Sequence, residues 1–171
     1  MRRVIVLGID PGSRRCGYGV VERAGSRLTV VESGVLLPGE RPMAERLAAL
    51  LDGLGTVIER VGAEAVAVES VFAGASIRSA LALGQARGVV LAAAARAGLP
   101  VFEYAPAQVK VALTGNGRAQ KDQMVRMAKA LLGVEARLSD EADAIALAVC
   151  HLAHLARPAV PARRSGAGGG R

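Results

Sequence analysis

The chain has 171 residues, of which 51% are hydrophobic and 22% charged, a composition that fits one globular domain and excludes a disordered chain. At this size roughly 70% of the unfolded surface is buried on folding, so the core needs no staples, and two cysteines, Cys16 and Cys150, are too few for a disulfide framework. Lys plus Arg is 22 against 15 Asp plus Glu, a net charge of +7 that points to an acidic partner such as nucleic acid.

The longest apolar run, Gly88 to Ala95, is fenced by Arg87 and Arg96, so no membrane span is expected. Met1-Arg2-Arg3 before a strand-like run does not read as a secretory signal, and a reduced, cytoplasmic protein is expected. The charge is unevenly placed. Residues 70–134 hold eight basic side chains against Glu103 and Asp122, while acids gather near positions 10, 69 and 140–143. With aromatics at 2%, a broad platform for stacking single-stranded bases is excluded, and binding by charge and shape is expected.

In chain order, Arg3 to Asp10 is β-branched and continuous and ends at the turn Pro11-Gly12-Ser13, which predicts a buried strand. Gly17 to Glu22 and Leu28 to Leu36 flank Ala24-Gly25-Ser26 and predict two hairpin-linked strands. Pro42 starts a helix to about Val61, with Leu47, Leu50, Leu51, Leu54 and Ile58 at three-and-four spacing. Ala65 to Glu69 is a short buried strand, Ser70 to Ser76 a loop, and a helix runs from about Ile77 to Ala97 before Gly98 and Pro100. A strand at Val101 to Tyr104 precedes helices at about Pro106 to Leu113 and Lys121 to Leu132, split by Gly115-Asn116-Gly117. The last helix spans about Ser139 to Leu155. Three hairpin strands followed by strands alternating with helices predict an α/β fold, a mixed five-stranded sheet with helices on both faces. Residues 1–156 form the expected domain, and 157–171, with four arginines and no acid, read as a disordered basic tail.

The helix 77–97 is apolar on nearly all sides, with Leu81, Leu83, Val89, Val90 and Leu91 among Ala and Gly. Such a helix is usually buried all round. Either a second chain covers its outer face, the reading favoured here, or its own chain wraps it.

Asp10 ends the first strand and Glu69 the fourth; if those strands are neighbours, both carboxylates emerge at one sheet edge. Asp140 and Asp143 are three apart on a helix and share a face. Four such charges in one site repel, and their complement is divalent metal; oxygen ligands without matched His or Cys point to Mg²⁺ or Mn²⁺. Two ions would activate water and stabilise the leaving oxygen of a phosphodiester, which is nuclease chemistry. Each acid alone also has a structural reading: Asp10 as a turn initiator, Asp140 at a helix N-terminus, Glu69 as a strand end facing water. Asp143, set among Ala142, Ala144, Ile145 and Ala146, is the hardest to explain as an idle acid. Lys110 and Lys121 flank the Gly115 turn, where they could reach one phosphate or simply form a solvated face. Phe72 sits in a small-residue loop, either tucked into the core or free to wedge between bases. Cys150, His151 and His154 lack a fourth ligand nearby; Cys150 is expected to point away from the two His, which argues against zinc. His154 is placed close enough to Asp143 to tune it.

Gly8-Ile-Asp10-Pro-Gly-Ser13, Glu69-Ser-Val-Phe72, Leu83-Gly-Gln-Ala-Arg-Gly88, Phe102-Glu-Tyr-Ala105, Gln108-Val-Lys110 and Asp140-Glu-Ala-Asp143-Ala resemble, in order, the RuvC family of bacterial Holliday junction resolvases. The resemblance spans about residues 3–154. It implies a ribonuclease-H-like fold and a homodimer making paired, symmetric, metal-dependent nicks in four-way junction DNA during homologous recombination and repair. It also implies a preferred cleavage sequence, two Mg²⁺ ions per site (Mn²⁺ able to substitute) and cooperation with the RuvA and RuvB branch-migration complex. By position, Asp10, Glu69, Asp140 and Asp143 match the family's catalytic carboxylates, and Lys110 and Lys121 its basic residues beside them. Phe72 matches the aromatic that contacts DNA near the junction centre, and helix 77–97 matches the dimer helix. Arg78 and Arg118 complete the candidate DNA contacts. Some relatives carry His at the last acidic position, where this chain has Asp143. Three rivals stand beside this reading: a ribosomal-RNA-processing nuclease of the same fold, an actin-like sugar kinase, for which the chain is too short, and a non-catalytic junction-binding protein.

Overall fold

The computed structural model describes residues 2–70, 76–132 and 139–156. The expected loop contact Phe72 and the expected basic tail at 157–171 lie outside the described residues. Five strands and five helices follow one another as β1 (Arg3–Asp10), β2 (Cys16–Ala24), β3 (Arg27–Leu36), α1 (Met43–Val61), β4 (Ala65–Glu69), α2 (Ile77–Arg96), β5 (Val101–Tyr104), α3 (Pro106–Thr114), α4 (Lys121–Leu132) and α5 (Ser139–Leu155). The sheet order is β3-β2-β1-β4-β5. β1, β2 and β3 are antiparallel neighbours, whereas β4 pairs parallel with both β1 and β5. This is the mixed sheet that the hairpins and the later strand–helix alternation predict.

Alternation along the strands sorts the side chains onto two cores. Leu7, Ile9, Cys16, Val20, Val66 and Val68 face α1 and α2, whose Leu50, Leu54, Val57, Ile58, Ala86 and Val90 cover them. Val6, Val21 and Ala67 face the other way, onto α3, α4 and especially α5. α1 meets the sheet along one stripe at three-and-four spacing and stops at Gly62, which takes the left-handed conformation (φ 63°) that a side chain would resist.

α5 is the central helix. Ala144 to Cys150 and Leu152 are buried, and so is His151. It can lie this low because the strand positions beneath it have no side chain. A Cβ on Gly8 would stand 1.9 Å from the Ala144 carbonyl oxygen, and one on Gly17 2.2 Å from that of Asp140. His151 is kept polar but satisfied: its Nδ1 shares a 2.7 Å hydrogen bond with Tyr104 Oη, and its ring packs on Phe102. Burial, with the charges of His154 and Arg23, holds its pKa below the ordinary range.

α2 is not wrapped by its own chain, the less favoured of the two expected readings. It packs Ala86, Val90, Ala93 and Ala94 against the first core, while Ile77 is 90% and Leu81 65% exposed. One chain covers the C-terminal half of the helix and leaves apolar side chains of its N-terminal half in water.

Candidate active site

The strand register brings the first two carboxylates together. Ile9 pairs with Val68, so the next residues, Asp10 and Glu69, end adjacent parallel strands at the same level. By alternation Asp10 follows Gly8, and Glu69 follows Ala67, onto the face covered by α5. Because α5 rests on Gly8 and Gly17, its N-terminal turns arrive at this same corner and carry Asp140 and Asp143 with them. A helix N-terminus also favours carboxylates through its dipole.

Asp10, Glu69, Asp143 and Lys110 line one open cavity of about 360 Å³, floored by apolar side chains such as Val109 and Leu147. The electrostatics register the crowding. Desolvation, then the like charge of Asp143, raise the Glu69 pKa above the ordinary carboxylate value, and Lys110 opposes the rise. The thiol of buried Cys16 is pushed up to about 12, first by burial and then, against a hydrogen bond from the Gly12 backbone, by the charges of Asp10 and Asp140.

Asp140 is placed differently from the expectation of four convergent acids. It does not line the cavity; Arg15 Nε donates to its Oδ2 at 2.7 Å. Among the described residues, no three His, Cys, Asp or Glu side chains stand close enough to hold an ion between them. The carboxylates therefore surround a space rather than form a closed ligand cluster. All the acids there are hard oxygen donors, and three of them, Asp10, Glu69 and Asp143, face one lysine, Lys110, in the lining. That donor set and that field fit a divalent cation of the Mg²⁺ type.

Lys121 is the first residue of α4, directly after Gln120, which lines the cavity. Arg118 is exposed in the α3–α4 turn, where its backbone N–H donates to Asn116 Oδ1. Arg78 is exposed in the first turn of α2. The C-terminal cluster needs two corrections. Cys150 shares a face with His154, its Sγ 3.7 Å from His154 Nδ1, because residues four apart meet on a helix. His154 lies three turns from Asp143, about 16 Å along the axis, and its Nδ1 is 2.8 Å from the Cys150 carbonyl oxygen, too remote to tune that acid.

Two arginines missing from the sequence-based candidates touch the site. Arg15 holds Asp140, and Arg87 of α2 donates to the Glu69 carbonyl oxygen at 3.0 Å while pairing with Glu103 of β5. Arg87 lies inside the Leu83–Gly88 motif, a signal noted without a role. The Arg15 contact spans 125 residues and leaves no local mark.

A ribonuclease-H-like sheet with carboxylates at the ends of β1 and β4 and on the capping helix defines a nuclease that works with metal. The family model for crossover junction endodeoxyribonuclease RuvC matches residues 6–151. RuvC of Anaeromyxobacter dehalogenans strain 2CP-1 is 71% identical over 163 residues, 95% of this chain and 88% of that protein. RuvC of Trichlorobacter lovleyi is 50% identical over 149 residues, 86% of this chain and 84% of the relative. Thermus thermophilus RuvC, solved in complex with a Holliday junction substrate, superposes with a TM-score of 0.84 at 37% identity, covering 89% of this chain and 94% of that one. The yeast mitochondrial resolvase Ydc2, at 17% identity and TM-score 0.62, shares the fold. The chain belongs to the RuvC family of crossover junction endodeoxyribonucleases: it is a DNA endonuclease acting on crossover junctions in recombination and repair. No helix of the described residues is long and apolar enough to cross a membrane.

Proposed function

We propose that this chain resolves Holliday junctions by paired symmetric nicks, using Asp10, Glu69, Asp140 and Asp143 as ligands for two Mg²⁺ ions, with Mn²⁺ able to replace them. The observation that carries the reading is the cavity shared by Asp10, Glu69, Asp143 and Lys110 at the ends of β1 and β4. When bound, the ions would supply acidified water and charge compensation for the leaving oxygen. The residues do the rest. Asp10 and Glu69 are held by the sheet, and Asp143 by a helix packed too tightly to shift, so the acids meet a phosphodiester in a fixed arrangement. Lys110, and Lys121 at the start of α4, offset charge on the phosphate as it accumulates. The water oxygen bonds to phosphorus and the bond to the 3′-oxygen breaks, leaving 5′-phosphate and 3′-hydroxyl ends.

The nuclease domain is residues 1–156, with 157–171 as a basic tail, in a cytoplasmic protein. Phe72, Arg78 and Arg118 contact the DNA. The exposed Ile77 and Leu81 support a homodimer built on α2, since a two-fold pair presents its sites to strands of like polarity. RuvA and RuvB are the expected partners in branch migration. The test is Asp143→Asn: cleavage of a four-way junction should fall at least about a hundredfold, while binding in EDTA stays within about twofold. Wild-type cleavage by that variant would refute the carboxylate assignment.

A further inference from the structure

Several of the described arginines are already engaged. Arg2, Arg3, Arg15, Arg60, Arg87 and Arg126 each pair with a carboxylate. Arg14, Arg41 and Arg46 are different. Among the described residues none of the three is in an ion pair, and all three line one pocket of about 620 Å³ between the β1–β2 loop, the β3–α1 linker and the start of α1. Glu40 is the one acid in its lining.

Two further features mark this pocket as built for an anion. Arg46 Nε is buried with no hydrogen-bond partner among the described residues, although its Nη2 approaches Met43 Sδ at 3.6 Å. A buried donor without an acceptor costs free energy, so the Arg46 side chain gains if it turns to meet an acceptor. The pocket also contains Pro42, the N-cap of α1, which has no side chain to cap the helix. The first N–H groups of a 19-residue helix thus lack the capping oxygen that Ser, Thr or Asp would bring. Arginine is the residue suited to phosphate oxygens, through paired N–H donors.

The location says which phosphate. Arg14 and Arg15 are consecutive: Arg15 turns to Asp140 and Arg14 turns to this pocket, so the pocket opens beside the carboxylate corner. Lys110 lies in the carboxylate cavity itself. Leu37, 66% exposed, adds apolar lining suited to a sugar face.

We propose that Arg14, Arg41 and Arg46 form a second phosphate site, which grips a backbone phosphodiester of a junction arm away from the bond that is cut. The proposal rests on the carboxylate cavity being the cutting site, and it makes the pocket a register-setting contact rather than part of the chemistry.

The test is binding of a labelled four-way junction in EDTA across a salt series, with wild type, Arg41→Gln, Arg46→Gln and the double variant. The double variant should bind about tenfold more weakly at ~0.1 M salt, and the log K against log salt slope should lose about 0.9 per contact removed. Arg41 is exposed, so Arg41→Gln alone carries part of the effect without disturbing the fold. Junctions with single neutral methylphosphonates should reveal one backbone position whose loss weakens wild type but not the double variant. Single-turnover cleavage at saturating protein should stay within about twofold of wild type. An unchanged slope, with identical methylphosphonate profiles, would overturn the proposal. So would inorganic phosphate binding that the double variant loses while its junction affinity stays that of wild type, which would assign the pocket to free phosphate. Asp143→Asn separates the two readings: a dead Asp143→Asn beside normal binding by the double variant sinks only the pocket, whereas an active Asp143→Asn sinks the cutting site.

Discussion

α5 and α2 are both rich in Ala and aliphatic residues, yet the fold treats them in opposite ways. α5 is enclosed by its own chain, seated on glycines of β1 and β2 and covered by α3 and α4. α2 is enclosed only over its C-terminal half, and Ile77 and Leu81 project into solvent. The same apolar composition marks a core helix in one case and an unfinished interface in the other. The consequence for function is a division of labour. The enclosed helix holds acids against strand ends with little freedom, and the half-covered helix leaves the exposed Ile77 and Leu81 on which the proposed dimer rests.

Glycine substitutions should separate the two helices most strongly. Gly8→Ala drives a Cβ into the Ala144 carbonyl, and should cost about 3 kcal/mol in urea denaturation and abolish cleavage. Gly88→Ala on α2 meets nothing within 4 Å, so it should stabilise the chain by about 0.5–1 kcal/mol. Equal effects at the two positions would erase the contrast.

Leu81→Glu probes the open face. It should weaken self-association by at least about tenfold in sedimentation, because a charge enters an apolar contact, while chain stability changes by no more than about 0.5 kcal/mol. Loss of chain stability without change in association would return α2 to the role of a wrapped core helix.

The smallest effect is expected at Arg15. Its pair with Asp140 is partly exposed, with side chains 49% and 24% accessible, so it contributes no more than about 1 kcal/mol. If Asp140 is a metal ligand as proposed, the guanidinium would compete with the cation for that carboxylate. Arg15→Gln should therefore tighten Mn²⁺ binding about two- to fivefold by calorimetry. Weaker binding would mean that Arg15 positions Asp140 for the ion instead of withholding it.

The contrast also shows what was legible beforehand. Strand and helix limits follow from hydrophobic period and from Gly and Pro punctuation, so Ala65–Glu69 and Ser139–Leu155 appear where the pattern places them. Asp10 and Glu69 were readable only together, because two strands that each end in an acid bring both to one sheet edge once they are neighbours. The exposure of Ile77 and Leu81 follows from the favoured of two readings, since an apolar helix looks alike whether its cover is its own chain or another. The capture of Asp140 was not readable, because a pair between Arg15 and a residue 125 positions away depends on how α5 settles on Gly17. The Cys150–His154 contact follows from helix spacing alone, because residues four apart share a helix face.

The most direct test of the whole account is cleavage of a synthetic four-way junction able to branch-migrate through varied sequence, with Mg²⁺, Mn²⁺ or EDTA, beside Asp10→Asn. The expected result is paired nicks on strands of like polarity in either metal, none in EDTA and none from the variant. Tight binding of the junction with no nick in any metal, or nicks that persist in Asp10→Asn, would contradict it.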